Sequence, residues 1–308
     1  MFKGSITALV TPFLDGAFDA SSFEKVLAYQ LEHGTHGIVP CGTTGEAPTL
    51  EEEEFRAILD MSVAAVKGGI GGGIGKGIPV IAGTGSNSTA KTIYMTDLAK
   101  RAGVDAALVV VPYYNKPSQD GMLAHYKAIH NAVDLPIVIY NVPSRCGVEI
   151  SVDTVCRLAE LPRIVAIKDA TPDVSRTTEI KSRVKADFSV LCGDDAIAGA
   201  ALAHGADGCI SVSSNVAPAL CSEFQNAWMA GDIAKFQDLQ ALLMPLHKAL
   251  FVESSPAPVK YAASALDLCS DEVRLPLLPA SERARDLVDR VLRQIGLISS
   301  EVSDKLRA

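Results

Sequence analysis

Along the chain, short runs of continuous apolar and β-branched residues alternate with longer stretches whose apolar positions recur every three or four residues. The runs are Ile6–Phe13, Gly37–Gly42, Pro79–Thr84, Ala106–Pro112, Pro136–Val142, Ile164–Asp169, Ser189–Gly193 and Asp207–Val212, eight in all. Continuous apolar character, without polar alternation, is what strands buried on both faces of a parallel sheet require. The stretches between them, such as Ser21–Glu32, Leu50–Val66, Ser88–Arg101 and Ser118–Ala132, have helical period and favourable helix starts. Eight β/α repeats fit a TIM (β/α)8 barrel better than an open doubly wound sheet. After about Pro218 the strand signal stops, and Ala219–Leu250, Ala257–Leu266 and Ala280–Ile295 read as a helical C-terminal appendage. The expected division is therefore a barrel over residues 1–220 and a helical region over residues 221–308.

Two conspicuous segments have structural readings. Gly68–Gly77 is rich in glycine, but it holds no strict G-x-G-x-x-G register, and Gly75-Lys76 is followed by glycine where a phosphate loop needs Ser or Thr. It also precedes a strand, so it reads as a helix-to-strand loop on the face away from the strand C-termini. The acidic run Glu51–Glu54 opens a helix, where negative charge suits the positive end of the helix dipole.

The barrel reading makes a geometric demand, because active sites of this fold lie at the C-terminal ends of the strands. Thr43 and Thr44 follow strand two, and Tyr113 and Tyr114 follow strand four. Tyr140 ends strand five with Arg145 just beyond, Lys168 ends strand six, Gly193 ends strand seven, and Ile210 lies in strand eight. The reactive side chains thus share one rim. Lys168 closes the apolar run Ile164–Ile167. Burial in an apolar wall disfavours an ammonium ion and favours the neutral amine, which can attack a ketone and form a Schiff base. Such chemistry moves protons at several steps. Tyr140, one strand away, can carry them, with Thr43 and Tyr114 as candidates for a relay.

Composition narrows the setting. The chain has 308 residues, 48% of them hydrophobic, enough for one large core with an appendage. A net charge of −8 argues against nucleic acid or an anionic membrane surface as partner. No apolar run is long enough to span a bilayer, and the N-terminus lacks the layout of a signal peptide. The seven cysteines are odd in number and scattered, as expected of free thiols in a reducing cytoplasm. The six histidines form no metal-binding pattern, with His33 and His36 expected to cap and solvate a helix end. Neither a metal nor a cofactor is expected.

The segments Gly42–Glu46 (GTTGE), Pro112–Pro117 (PYYNKP), Tyr140–Arg145 (YNVPSR), Ala166–Asp169 (AIKD), Cys192–Asp195 (CGDD) and Gly208–Val212 (GCISV) resemble the dihydrodipicolinate synthase family, within the class I pyruvate-dependent aldolases. The resemblance runs from Gly4 to Lys260. It implies condensation of pyruvate with L-aspartate 4-semialdehyde on the diaminopimelate route to lysine. It implies an imine on Lys168, proton transfer by Tyr140, a relay through Thr43 and Tyr114, and a pyruvate carboxylate held by Thr44 beside the Ile210 backbone. It also implies that Tyr114 enters the site of a neighbouring subunit, and hence a homo-oligomer, usually a dimer of dimers. Sugar-acid lyases of the superfamily share the lysine and tyrosine. Arg145 discriminates, since a guanidinium at the pocket mouth matches the carboxylate of aspartate semialdehyde. Cys146 stands where threonine is commoner in the synthases. A keto-acid-binding regulatory barrel is the alternative from another class.

The same resemblance marks an inhibitory lysine site. Asn87 and Tyr113 match positions that contact the amino acid in lysine-sensitive relatives, whereas Glu52 falls where a bacterial relative has histidine, though a carboxylate there occurs in other sensitive relatives, and Lys91 replaces a glutamate and reverses its charge.

Overall fold

The computed structural model describes residues 2–68 and 75–299. Eight parallel strands form one sheet: β1 (Gly4–Ala8), β2 (Gly37–Val39), β3 (Ile81–Gly83), β4 (Ala106–Val110), β5 (Ile137–Asn141), β6 (Ile164–Asp169), β7 (Ser189–Cys192) and β8 (Gly208–Ser211). Their order is β2-β1-β8-β7-β6-β5-β4-β3. The two outer strands meet at a parallel bridge between Ile38 and Val80, where the Ile38 N–H donates to the Pro79 carbonyl at 3.0 Å. The sheet therefore closes into the expected (β/α)8 barrel. Seven strands fall within their apolar runs, β1 begins two residues ahead of its run at Gly4, and the strand side chains are almost wholly buried. The first run is longer than its strand: Phe13–Leu14 instead pairs with Ala17–Phe18 as a small antiparallel hairpin.

Between the strands lie α1 (Ala20–Glu32), α2 (Glu52–Gly68), α3 (Thr89–Ala102), α4 (Gln119–Ala132), α5 (Val152–Ala159), α6 (Ser175–Lys181) and α7 (Ala198–Ala203). The sequence explains where several begin. Asp19, Ser88, Ser118 and Ser151 each accept a hydrogen bond from the backbone N–H three residues on, at 3.1–3.3 Å. Such a cap contributes about 1 kcal/mol. Gly103 closes α3 at φ +85°, a conformation that glycine adopts without a Cβ penalty. Most of the glycine-rich segment, residues 69–74, lies outside the described residues.

The helical C-terminal part consists of α8 (Pro218–Ala230), α9 (Ile233–Ala249), α10 (Ala257–Ala265) and α11 (Glu282–Gln294). Gly231, at φ +73°, ends α8, and the Asp232 carboxylate caps α9, so the long helical stretch folds back as two packed helices. His33 stands at the end of α1 as expected, but His36 does not. Its Nδ1 accepts the Ser5 N–H at 3.0 Å at the start of β1, and burial pushes its pKa down. Among the described residues no helix is long and apolar enough to cross a membrane.

Candidate active site

The strand C-termini open into a cleft of about 480 Å³. Thr43, Thr44, Tyr140, Arg145, Lys168 and Gly193 all line it. A hollow of similar size, about 510 Å³, lies outside the barrel between α5 and the segment after α6, and holds none of these residues. The chemistry therefore belongs to the first.

β5 and β6 pair in a register that sets Tyr140 directly opposite Lys168. The Lys168 amine stands 4.4 Å from the centre of the Tyr140 ring, and both side chains are buried. Alternation along β6 turns the adjacent carboxylate the other way. Asp169 instead accepts from Arg176 Nε at 3.0 Å, from the Thr171 N–H at 3.0 Å and from Asn141 Nδ2 at 3.3 Å. No ion pair among the described residues holds Lys168. Gly193 gives the lysine stem its room, since a Cβ there would lie 3.1 Å from Lys168 Cε and 2.8 Å from Ala170 Cβ.

Thr43 and Thr44 sit on a tight turn after β2. Gly45 and Ala47 N–H groups donate to the Gly42 carbonyl at 3.1 and 3.2 Å, and Glu46 N–H donates to Thr43 at 3.1 Å. The turn is bracketed by two non-glycine residues in the left-handed region, Cys41 at φ +55° and Glu46 at φ +53°. Each costs about 1–3 kcal/mol and persists only where its surroundings over-determine it.

Arg145 lies in a helical turn, Pro143–Cys146, that follows β5, and its Nη2 donates to the Ser255 carbonyl at 3.3 Å. Next to it Cys146 is buried, which pushes its thiol up to about 11 and leaves it protonated at neutral pH. Tyr114 is elsewhere: it is 88% exposed, at φ +71°, and absent from the lining of its own chain's cleft. Ile210 is buried within β8, and that segment reaches the cleft two residues later, at Val212.

The sequence reading missed one wall altogether. His247 and Lys248 at the end of α9, with Phe251 and Ser255 beyond it, complete the cleft. His247 Nδ1 bonds the Ser213 hydroxyl at 2.7 Å, and burial lowers its pKa. The available signal was the break Phe251–Pro256 between two helices, where an aromatic and a serine pair interrupt an otherwise regular pattern. Arg145 and Lys248 outnumber the lining carboxylate, Asp194, a balance that suits small anionic carboxylates.

The residues matching the inhibitory site lie outside this cleft. Both Glu52 oxygens accept from the Tyr94 hydroxyl at 2.9 and 3.0 Å, and Arg56 donates to the same carboxylate at 2.8 Å. Those bonds, Arg56 first, hold the Glu52 carboxyl below the usual range. Lys91 is exposed on α3, and Asn87 accepts through its carbonyl from Asn115 at 2.9 Å.

The dihydrodipicolinate synthetase family matches residues 1–295. The chain belongs to that family. It is 53% identical over 299 residues to the 4-hydroxy-tetrahydrodipicolinate synthase of Rhodospirillum centenum, which covers 97% of this chain and 100% of the relative. Among family structures, that of Thermotoga maritima dihydrodipicolinate synthase superposes with a TM-score of 0.92 at 42% identity, covering 97% of this chain and 100% of that one. The chloride-inhibited dihydrodipicolinate synthase from Acinetobacter baumannii, solved with pyruvate, gives 0.92 at 45% identity, with the same coverage of 97% and 100%.

Proposed function

We propose that this cleft condenses pyruvate with L-aspartate 4-semialdehyde to give 4-hydroxy-tetrahydrodipicolinate, in lysine and diaminopimelate biosynthesis. Family membership supports the reaction class. The observation that carries the reading is the Lys168 amine over the Tyr140 ring in a cleft whose mouth holds Arg145. Lys168 Nζ attacks the ketone carbon of pyruvate, and loss of water from the carbinolamine gives the imine. Removal of a methyl proton then makes an enamine, which forms a carbon–carbon bond to the aldehyde. The new alkoxide takes a proton. The substrate's own amine displaces Lys168 from the former ketone carbon, closing the ring and freeing the lysine. Tyr140 moves the protons, Thr43 links it to water, and the Thr44 hydroxyl holds the pyruvate carboxylate beside the β8 backbone at Ile210. An assay offering pyruvate with aspartate semialdehyde, or with sugar aldehydes, tests this. Turnover of the sugar aldehydes alone would establish the sugar-acid aldolase instead.

Arg145 favours the synthase, because its charge suits a carboxylate and a sugar tail carries hydroxyls. Arg145→Ala is expected to keep forming the pyruvate imine while KM for aspartate semialdehyde rises about tenfold to a hundredfold, the worth of a charge-assisted contact of about 1.5–3 kcal/mol. An equal loss of pyruvate trapping would assign Arg145 a general role in shaping the mouth.

Tyr114 joins the relay from a second copy of the chain, which makes the working unit a homo-oligomer, a dimer of dimers, in the cytoplasm. Its exposure and its absence from its own cleft support this. Feedback by lysine is expected to be weak or absent at millimolar concentrations. Lys91 brings a like charge to the incoming ammonium group, costing about 1 kcal/mol in water and about 4 kcal/mol near a protein surface. Glu52, the carboxylate that could compensate, is already bound to Arg56 and Tyr94. A dose–response curve with strong inhibition below a millimolar would overturn this.

A further inference from the structure

The strained turn that carries Thr43 and Thr44 is anchored from an unexpected direction. Glu46, left-handed at φ +53°, sends its carboxylate away from the cleft into the protein. There Oε1 accepts from Lys260 Nζ at 2.8 Å, and Oε2 accepts from the Arg274 backbone N–H at 2.9 Å. The side chains of Lys260 and Glu46 are 0% and 1% exposed. The Lys260 amine also lies 4.1 Å from the centre of the Phe13 ring, and the Arg274 guanidinium lies 4.0 Å from the same ring. That guanidinium donates to Glu54 at 2.5 and 2.7 Å and to the Thr49 carbonyl at 2.8 Å. The residues following the turn are thus held at Glu46, Thr49 and Glu54 from the C-terminal part of the chain.

A fully buried ion pair is weak support for stability, because desolvating both charges offsets most of their attraction. It fixes one geometry instead. The residue it fixes is one of the two left-handed residues that bracket the turn, two positions after Thr44. We propose that Glu46 and Lys260 are positioning residues for the condensation: the buried pair holds Glu46 left-handed and so aims the Thr44 hydroxyl at the pyruvate carboxylate and the Thr43 hydroxyl at Tyr140. The proposal rests on the reading of this turn as the pyruvate site. Without the anchor Glu46 relaxes to negative φ, the turn opens, and the Thr44 hydroxyl moves off the carboxylate and the Thr43 hydroxyl off Tyr140, while Lys168 and Tyr140, on other strands, stay in place.

The test is the double variant Glu46→Gln with Lys260→Met, which removes both charges at nearly constant volume and leaves no unpaired ion behind. Thermal unfolding establishes that it is folded. Borohydride trapping at graded pyruvate concentrations then reads the site directly. The pyruvate concentration for half-maximal trapping, and KM for pyruvate, are expected to rise about tenfold or more, the worth of hydrogen bonds to a charged carboxylate. Trapping at saturating pyruvate and KM for the aldehyde are expected to change much less, while kcat falls with the displaced Thr43 hydroxyl. A folded variant whose half-saturation equals that of the unaltered protein would overturn the proposal. So would a loss confined to the trappable fraction and the melting temperature, which is what a merely structural pair would give. If the double variant does not fold, Glu46→Asp keeps the charge but shortens the reach to Lys260 by one methylene, and so loosens the same anchor. A rise in pyruvate KM supports the proposal there, and an unchanged KM overturns it. Failure of the unaltered protein to trap pyruvate would strike the underlying functional reading instead, so the two failures are distinguishable.

Discussion

Borohydride added together with pyruvate is expected to inactivate the enzyme and to leave a reduced adduct on the peptide carrying Lys168. Three lysines compete for that assignment. Lys260 is buried, but its amine is committed to Glu46 at 2.8 Å and would have to abandon a buried carboxylate to react. Lys248 lines the cleft but is exposed, so an imine formed there would stand in water and hydrolyse. Lys168 alone combines burial, an open path from the cleft, and a phenol beside it. Lys168→Ala is therefore expected to abolish both the adduct and the condensation, and mass spectrometry of the digested protein decides it. An adduct on Lys248 or Lys260, or residual condensation near the normal rate in Lys168→Ala, would remove imine catalysis by Lys168.

What could be read from the sequence follows the range of the interactions concerned. Strands buried on both faces carry their signature within five or six residues, so the eight apolar runs located all eight barrel strands. The strand-end rule then collected Thr43, Tyr140 and Lys168 onto one rim before any contact was known. Local capping was equally legible, since Ser88, Ser118 and Ser151 act on N–H groups only three residues away. Pairings between distant segments leave no such trace. Lys260 bonds a carboxylate 214 residues earlier, and nothing around it in the sequence separates it from a surface lysine on a helix. The same holds for His247, whose helical setting reads as packing and whose place on the cleft wall depends on how α9 and α10 fold back over the strand ends. His36 misled for the opposite reason. Its neighbours suggest a solvated helix end, yet its Nδ1 is the partner that the first strand's Ser5 N–H needs.

Tyr140→Phe is expected to lower kcat by about 10²–10⁴-fold, the usual contribution of a positioned proton carrier. The substitution deletes one oxygen and keeps the ring that packs beside the Lys168 amine, so β5, β6 and their register should stand unchanged and the melting temperature should hardly move. Lysine remains available, and pyruvate trapping by borohydride should still reach completion, only more slowly, because carbinolamine dehydration also needs a proton. That combination separates the phenol's role from the ring's. Equal loss of trapping amplitude and turnover would mean that Tyr140 shapes the lysine's surroundings. A kcat close to that of the unaltered protein would mean that another group carries the proton. In that event Thr43, which lines the same cleft, is the next hydroxyl to remove, and a Thr43→Val variant with the larger kcat defect would transfer the role to the β2 turn.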